Sequence, residues 1–251
     1  MRAMICKEYG PPESLELGEL PRPELEANEV RIRVHACGVN FPDTLIIQGK
    51  YQLKPPMPFA PGGEVAGEII EVGSEVKNFK VGDRVMALTG YGGFAEEAVT
   101  AATRAIPIPD GMDYVTAAGF SMVYGTSYHA LVQRGRLKPG ENLLVLGASG
   151  GVGLAAVEIG KALGARVIAA ASSPEKLQVA KEHGADELID YSKEDLKERV
   201  RELTGGNGAD VIYDPVGGDA FDQCLRAINW EGRLLVIGFA SGRIPQAPAN
   251  L

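Results

Sequence analysis

A strand that runs directly into a glycine turn and then into a helix constrains the fold of this chain more than any other feature. The apolar strand LLVL over 143–146 is followed by the turn GASGGVG and by an amphipathic helical pattern over 152–163. Aligned with the glycine-rich dinucleotide fingerprint, the three key positions fall on Ala148, Gly150 and Gly153. A tight turn without a ligand is the alternative. We predict a pyrophosphate-binding loop formed by Gly150, Gly151, Val152 and Gly153.

Strand and helix patterns alternate at crossover spacing through the second half of the chain, which favours a doubly wound parallel sheet in an α/β protein. We assign residues 124–251 to this domain. After the first strand, its predicted strands are 166–171, 187–190, 211–216 and 233–239, and its later helices are 175–183, 193–203 and 221–227.

Residues 1–123 have a different rhythm, because glycine and proline interrupt short runs that are rich in β-branched residues. This pattern predicts a mostly β domain with long loops. Its predicted strands cover 30–34, 65–72, 84–87 and 94–99.

The end of the second strand of the parallel sheet indicates which dinucleotide binds. An NAD enzyme places an acidic residue roughly 20 residues after the loop to bind the ribose hydroxyls. Here that strand ends in Ser172 and Ser173, with Lys176 following. Because no carboxylate would repel a 2′-phosphate there, we predict NADPH as the cofactor, although Lys176 alone is equally consistent with a solvated helix residue.

Composition excludes several other classes of function. The chain has 33 acidic against 25 basic residues, a net charge of −8, and no basic run that would neutralise a nucleic acid backbone. No segment offers the roughly 18 apolar residues of a membrane span, and no apolar signal peptide opens the chain. Three scattered cysteines suit a reducing compartment. We expect a soluble, cytoplasmic protein without a nucleic acid or membrane partner.

A signature in the first domain resembles that of the medium-chain dehydrogenase/reductase superfamily. Gly62-Gly-Glu-Val-Ala-Gly67, followed by Gly73 and Val76, matches Gly-His-Glu-x2-Gly-x5-Gly-x2-Val except that Gly63 replaces the histidine. That histidine is a metal ligand in the zinc enzymes of the superfamily, and Asn40 stands where they have a ligand cysteine. The remaining histidines and cysteines are scattered, so we predict no metal site.

The chain as a whole resembles the zinc-independent quinone oxidoreductases, the zeta-crystallin-like family. The resemblance implies a GroES-like mostly β domain followed by a Rossmann domain, and homodimers in full-length relatives. Members continue for roughly 70 residues beyond the end of this sequence, so we expect an incomplete C-terminus. The motifs that carry the resemblance are GVNFPD (38–43), GKY (49–51), GGE (62–64), YGTSYH (124–129), the loop at 148–153 and GFASG (238–242).

The resemblance also implies roles for individual residues. Asn40 and Thr126 would line the nicotinamide, and Asp43 and Tyr51 would shape the substrate cleft. Further cofactor contacts are implied for Lys176, Tyr191, Gly217, Gly238 and Phe239. Structural alternatives remain for several of these: a helix cap for Asp43, a packed loop aromatic for Tyr51, an ordered turn for Asn40 and a hinge or helix start for Thr126.

Three functional hypotheses follow. The first is an NADPH-dependent reductase of a quinone. The second is an NADPH-dependent reductase of an activated C=C bond in an enal, an enone or an enoyl thioester. The third is a crystallin-like protein that binds NADPH without catalysis. The sequence does not separate the quinone from the enone as the small-molecule substrate.

Overall fold

The computed structural model describes residues 1–248, so the last residues of the predicted second domain, 249–251, lie outside the described part. The chain divides into two compact units, Met1–Met122 and Val123–Leu251. The assignment of a catalytic role to the first unit and of a cofactor-binding role to the second unit stays a prediction.

The first unit is built mainly from antiparallel strands. A five-stranded sheet has the order β6-β3-β4-β5-β7, and a two-stranded sheet pairs β1 with β2. The strands are β1 (Arg2–Ile5), β2 (Glu16–Glu19), β3 (Glu29–Gly38), β4 (Glu64–Val72), β5 (Arg84–Leu88), β6 (Glu97–Ala101) and β7 (Ala105–Pro107). Two short helices, α1 (Phe41–Ile46) and α2 (Tyr114–Ala118), complete the unit.

Alternating apolar residues place one hydrophobic cluster of the first unit on one face of this sheet. Val30 and Ile32 on β3 are fully buried, as are Val65 and Ile69 on β4. Together with Val85 they form one hydrophobic cluster, which is the packing that β-branched residues favour on a pleated surface.

The strand predicted over 94–99 has the wrong bounds, since β6 is Glu97–Ala101. Residues 94–96 instead bond to the N-terminal strand. The N–H of Met4 donates to the carbonyl of Phe94 at 2.9 Å, and the N–H of Glu96 donates to the carbonyl of Arg2 at 3.2 Å. A single continuous segment therefore bonds to strands of two sheets, which periodicity alone does not reveal.

The second unit carries a five-stranded parallel sheet of order β10-β9-β8-β11-β12. Its strands are β8 (Asn142–Leu146), β9 (Arg166–Ala171), β10 (Glu187–Asp190), β11 (Ala209–Asp214) and β12 (Ile228–Val236). Its helices are α4 (Gly151–Ala162), α5 (Pro174–Glu182), α6 (Leu196–Leu203) and α7 (Gly218–Ala227). Helix α3 (Ser121–Tyr128) spans the boundary between the units and continues into a π-helical turn over His129–Arg134.

Both faces of the parallel sheet are buried. Leu143 and Val145 on β8 pack into one cluster, whereas Leu144 and Leu146 on the same strand pack into another. Continuous apolar strands of this kind are what a sheet covered on both faces requires. The predicted fold class is confirmed: the chain is an α/β protein with a mostly β unit followed by a doubly wound parallel sheet.

Helix α6 begins at Leu196, three residues later than predicted for the helix over 193–203. Asp190 and Ser192 explain the difference. The Asp190 carboxylate accepts the N–H and the hydroxyl of Ser192 and so stabilises a turn after β10. Asp195 then caps the helix, accepting the N–H of Glu198 at 2.8 Å.

Within residues 1–248, no helix combines the length and the apolar character that crossing a bilayer requires.

Candidate active site

The glycine loop after β8 has the local geometry that the sequence predicts for a pyrophosphate site. Gly147 starts the turn with a φ of 55°, and the N–H of Gly150 donates to its carbonyl at 2.9 Å. The positive φ thus falls on Gly147, one residue before the expected fingerprint position. Ala148 is fully buried and donates its N–H to the carbonyl of Ala170 at 3.2 Å.

Two glycines of the loop differ in the space that their surroundings leave for a side chain. A Cβ at Gly153 would lie 2.3 Å from the carbonyl oxygen of Gly147, so only glycine allows α4 to pack against the turn. A Cβ at Gly150 would meet no atom closer than the same oxygen at 3.4 Å. Internal packing therefore does not demand glycine at 150, which is compatible with the predicted close approach of a ligand. With the unpaired first-turn N–H groups of α4, the loop fits a pyrophosphate.

The end of β9 gathers three of the residues predicted to bind the cofactor. The Lys176 ammonium donates to the Ser172 hydroxyl at 3.1 Å, and that hydroxyl is hydrogen-bonded to Tyr191 as well. A cation and two hydroxyl groups therefore converge at one strand end, and Lys176 and Ser172 are accessible there. This donor set fits a phosphate monoester.

Acidic groups close to this strand end are engaged elsewhere. Ser173 caps α5 and is hydrogen-bonded to Glu175. Asp190 is held by the side chain of Ser192, which is the main cause of its lowered pKa, and its carboxylate lies 3.5 Å from the ammonium of Lys193. Ser173 is consequently a structural cap as well as a predicted cofactor residue.

The loops that follow β11 and β12 are tied together through Asp214. Its Oδ1 accepts the N–H groups of Val216 and Gly217, each at 2.8 Å, and its backbone carbonyl accepts the N–H of Gly238 at 3.4 Å. Gly217 has a φ of 67°, and a Cβ there would lie 3.0 Å from the ring of Phe239. The structure therefore brings Gly217, Gly238 and Phe239 together at the carboxyl edge of the sheet.

Asp214 itself was not among the predicted site residues. It is fully buried, and burial raises the pKa of its carboxyl group. An acidic residue that ends the apolar strand VIYD is the signal that could have identified it.

Thr126 lies inside α3, so the alternative that it starts a helix is wrong. The neighbouring Ser127 is fully buried and anchors this part of α3 to the glycine loop. Its hydroxyl donates to the carbonyl of Val152 at 3.0 Å and is 2.8 Å from the hydroxyl of Tyr213. Thr126 is thus one residue from a direct link to the first turn of α4.

In the first unit, Asp43 is almost fully buried and acts as a local tie. Its Oδ1 accepts the N–H groups of Gly62 and Gly63, each at 3.1 Å, and its Oδ2 accepts the N–H of Asn40 at 2.8 Å. Burial raises the pKa of Asp43, and these three hydrogen bonds act in the opposite direction. Asn40 is the N-cap of α1, and Asp43 stabilises that cap by accepting the N–H of Asn40. The role of Asp43 is therefore close to the helix-cap alternative considered for this residue.

Tyr51 packs against a hydrophobic cluster that contains Cys6, Ile46, Ile47 and Phe59. This position matches the alternative of a packed loop aromatic. Its predicted role in shaping a substrate cleft stays a prediction.

The Asn40 side chain is held by a residue that the sequence analysis did not assign to the site. Asn40 Nδ2 donates to Oε2 of Glu64 at 3.0 Å, and Oε1 of Glu64 accepts the N–H of Met122 at 2.7 Å. The signal was available, because Glu64 belongs to the quoted GGE motif.

The resemblance places Gly63 and Asn40 at the positions where the zinc enzymes of the superfamily have ligands. Nearby, Cys37 donates to the backbone carbonyl of Glu64 at 3.0 Å, and burial raises the pKa of its thiol to about 12. Among residues 1–248, no group of three or more histidine, cysteine, aspartate or glutamate side chains is placed to hold a metal ion.

Comparison with known proteins agrees with this architecture. Residues 26–110 match the family model described as alcohol dehydrogenase GroES-like domain, and residues 151–251 match the model described as zinc-binding dehydrogenase. Together the two models define the medium-chain dehydrogenase/reductase class.

Individual relatives show which family of this superfamily the chain resembles. The chain is 46% identical over 252 residues to a quinone oxidoreductase-like protein 2 homolog of Nematostella vectensis, covering 100% of this chain and 68% of the relative. It is 44% identical over 237 residues to a quinone oxidoreductase of Pseudomonas aeruginosa, covering 94% and 73%. The crystal structure of Escherichia coli quinone oxidoreductase complexed with NADPH superposes with a TM-score of 0.92 at 34% identity, covering 100% and 77%. The chain belongs to the quinone oxidoreductase family of this superfamily.

Proposed function

We propose that this protein is an NADPH-dependent, zinc-independent oxidoreductase that reduces a quinone. The observation that carries the proposal is the convergence of Ser172, Lys176 and Tyr191 at the end of β9, where a 2′-phosphate would bind. The names of the relatives support the quinone, and the NADPH complex of the Escherichia coli protein supports the cofactor.

When bound, NADPH supplies the hydride, so the protein needs to bind, orient and exclude water rather than provide a strong acid. In the second unit, Gly150 to Gly153 would hold the pyrophosphate by backbone N–H groups, and Lys176 would pair with the 2′-phosphate. Gly217, Gly238 and Phe239 shape the cofactor side of the sheet edge. In the first unit, the side-chain amide of Asn40 donates to Glu64 and its backbone N–H donates to Asp43.

Titration with NADPH and NADH, followed by nicotinamide fluorescence, tests the phosphate site. We expect Lys176→Ala to raise the Kd for NADPH about tenfold, since it removes a charge-assisted hydrogen bond, and to leave the Kd for NADH nearly unchanged. Lys181→Ala is the matched control, because it removes an exposed lysine from the same helix. Equal weakening of both nucleotides by Lys176→Ala would contradict the assignment.

Steady-state rates on a panel of quinones and enones test the substrate. We expect higher kcat/KM for quinones. Higher kcat/KM for enones would mean that the hydride acceptor is an activated C=C bond rather than a quinone. NADPH binding without turnover on either class would favour the non-enzymatic alternative.

Chelation tests the independence from zinc. Dialysis against 1,10-phenanthroline should leave NADPH oxidation unchanged, because Gly63 and Asn40 replace two of the ligands. Metal content measured by mass spectrometry serves as the control for complete removal. A loss of activity that added Zn²⁺ restores would show that a metal takes part.

A further inference from the structure

The turn between α6 and β11 contains the one Asn-Gly pair of the sequence. Residues 204–208 read TGGNG, so Asn207 is followed by Gly208, whereas each of the other asparagines precedes a larger residue. Asn207 is exposed and Gly208 is buried. Asparagine is thermolabile because the backbone nitrogen of the next residue can attack its side-chain amide. Glycine is the next residue that obstructs this attack least, since it has no side chain.

The packing of the chain requires glycine at position 208. Its φ of 95° lies in the left-handed region, which disfavours a side chain. A Cβ there would lie 2.5 Å from the carbonyl oxygen of Ala227 and 2.9 Å from the backbone nitrogen of Asn229. A bulky residue at 208 would protect Asn207, but the fold leaves no room for one.

Thr204 holds the nitrogen that would attack. Thr204 is buried, and its hydroxyl donates to the carbonyl of Val200 at 2.8 Å. With its proton used in this way, Oγ1 of Thr204 accepts the N–H of Gly208 at 2.9 Å. Attack on Asn207 requires the nitrogen of Gly208 to lose its proton and to approach Cγ. Both events break a buried hydrogen bond, which costs free energy.

We propose that Asn207 is a site of spontaneous deamidation whose rate is controlled by the hydrogen bond from Gly208 to Thr204. When the turn opens, the nitrogen of Gly208 gives its proton to solvent and bonds to Cγ of Asn207. The side-chain nitrogen of Asn207 takes up a proton and leaves as ammonia. Water then opens the cyclic imide: cleavage of the new bond to Cγ gives aspartate, and cleavage of the original peptide bond gives isoaspartate.

The modification acts on the start of β11. Either product adds a negative charge just after the C-terminal end of α6, where the helix dipole favours a cation. Isoaspartate also lengthens the main chain by a methylene group two residues before Ala209. Ala209 is fully buried and pairs with Ile228 at the start of the strand.

Incubation in a mildly alkaline buffer, followed by peptide mass spectrometry and an isoaspartate assay, tests the control by Thr204. We expect Thr204→Val to deamidate at Asn207 about fivefold faster than the unmodified protein, because one buried hydrogen bond is lost. Thr204→Ser keeps the hydroxyl and should restore the slow rate. An unchanged rate in folded Thr204→Val, or an equally fast rate in Thr204→Ser, would overturn the proposal.

Thr100→Val is the matched control for this substitution. Thr100 is a similarly buried threonine in the first unit, and its hydroxyl donates to the carbonyl of Leu88 at 2.9 Å. The variant therefore loses a comparable hydrogen bond without touching the turn, and its rate at Asn207 should equal that of the unmodified protein. A rise equal to that of Thr204→Val would assign the effect to general loss of stability and overturn the proposal.

A comparison of the native and unfolded states covers the case in which Thr204→Val does not fold. In guanidinium chloride we expect Asn207 of the unmodified protein to deamidate at least about tenfold faster than in the native state, since unfolding frees the N–H of Gly208. Asn78, which is exposed and followed by Phe79, is the internal control and should stay nearly unmodified in both states. Equal rates at Asn207 in the two states would overturn the proposal. The readout is a mass, so it does not depend on turnover or on the proposed function.

Discussion

Two buried aspartates show how differently single residues use the same chemical group. Asp43 engages both carboxylate oxygens with three backbone N–H groups. Asp214 engages only Oδ1, and within residues 1–248 its Oδ2 has no hydrogen-bond partner. A buried charge without a full set of partners costs free energy of folding.

Substitution by asparagine should change the stability of the protein differently at Asp43 and at Asp214. Asp214→Asn keeps an acceptor at Oδ1 and places a neutral group at the unpartnered position, so we expect the free energy of unfolding at neutral pH to stay within about 1 kcal/mol or to rise. Asp43→Asn forces an amide N–H₂ against a backbone N–H and should cost about 1–3 kcal/mol. Urea denaturation measures both, and a larger loss for Asp214→Asn would contradict this account.

The pH dependence of the Asp214 variant has a defined sign. Burial raises the folded pKa of Asp214 above its ordinary value of 3.8, so the folded state binds the proton more tightly than the unfolded chain. This group therefore lowers stability as the pH rises from 3.8 to the raised pKa. We expect the difference in unfolding free energy, Asp214→Asn minus unmodified protein, to grow across that window and to level off above it. A difference that is independent of pH would contradict the raised pKa.

At the scale of elements, the helix starts of the second unit differ in the quality of their caps. Asp195 accepts the N–H of Glu198 at 2.8 Å at the start of α6, whereas Ser173 accepts the N–H of Lys176 at 3.4 Å at the start of α5. Pro174 additionally favours the first turn of α5.

We expect Asp195→Ala to lower the free energy of unfolding by about 1 kcal/mol, and Ser173→Ala to lower it by less because its bond is longer. Thermal unfolding of both variants beside the unmodified protein provides the comparison. The reverse order would show that cap geometry does not control these two helix ends.

The existence of the elements could be predicted from the sequence better than their ends. The bounds of β9 and β10 are those predicted. The strands predicted over 211–216 and 233–239 are displaced towards the N-terminus, since β11 is Ala209–Asp214 and β12 is Ile228–Val236. The start of β6 was wrong because residues 94–96 pair with the N-terminal strand, and the start of α6 was wrong because Asp190 holds a turn.

The candidate site shows the same division. Ser172 and Lys176 were identified from a strand end and Tyr191 from the family resemblance, and the structure brings the three together. Glu64 was missed because its partners Asn40 and Met122 lie far away in the sequence, which residue spacing does not encode. Asp214 was missed although its partners, the N–H groups of Val216 and Gly217, are local.

At the scale of the whole molecule, both units shield their cysteine thiols from solvent. Cys6 and Cys224 are buried and Cys37 is partly buried. Burial raises the pKa of all three thiols, that of Cys37 to about 12. The thiolate, which is the reactive form, is therefore scarce.

We expect Ellman's reagent to react slowly with the native protein at a pH of about 8, and to titrate all three cysteines rapidly in denaturant. The unfolded protein is the internal control for the number of thiols. A rapidly reacting thiol in the native protein would identify a site that opens.

Gly63 has a consequence for engineering a metal ligand into this chain. A Cβ at this position would lie 3.3 Å from the carbonyl oxygen of Gly90, and the N–H groups of Thr89 and Gly90 both donate to the carbonyl of Gly63, at 2.9 and 3.3 Å. The 89–90 segment would have to give way by a few tenths of an ångström to admit any side chain at position 63. Because two backbone hydrogen bonds hold that segment to Gly63, a metal ligand cannot be introduced at this position without loading those bonds.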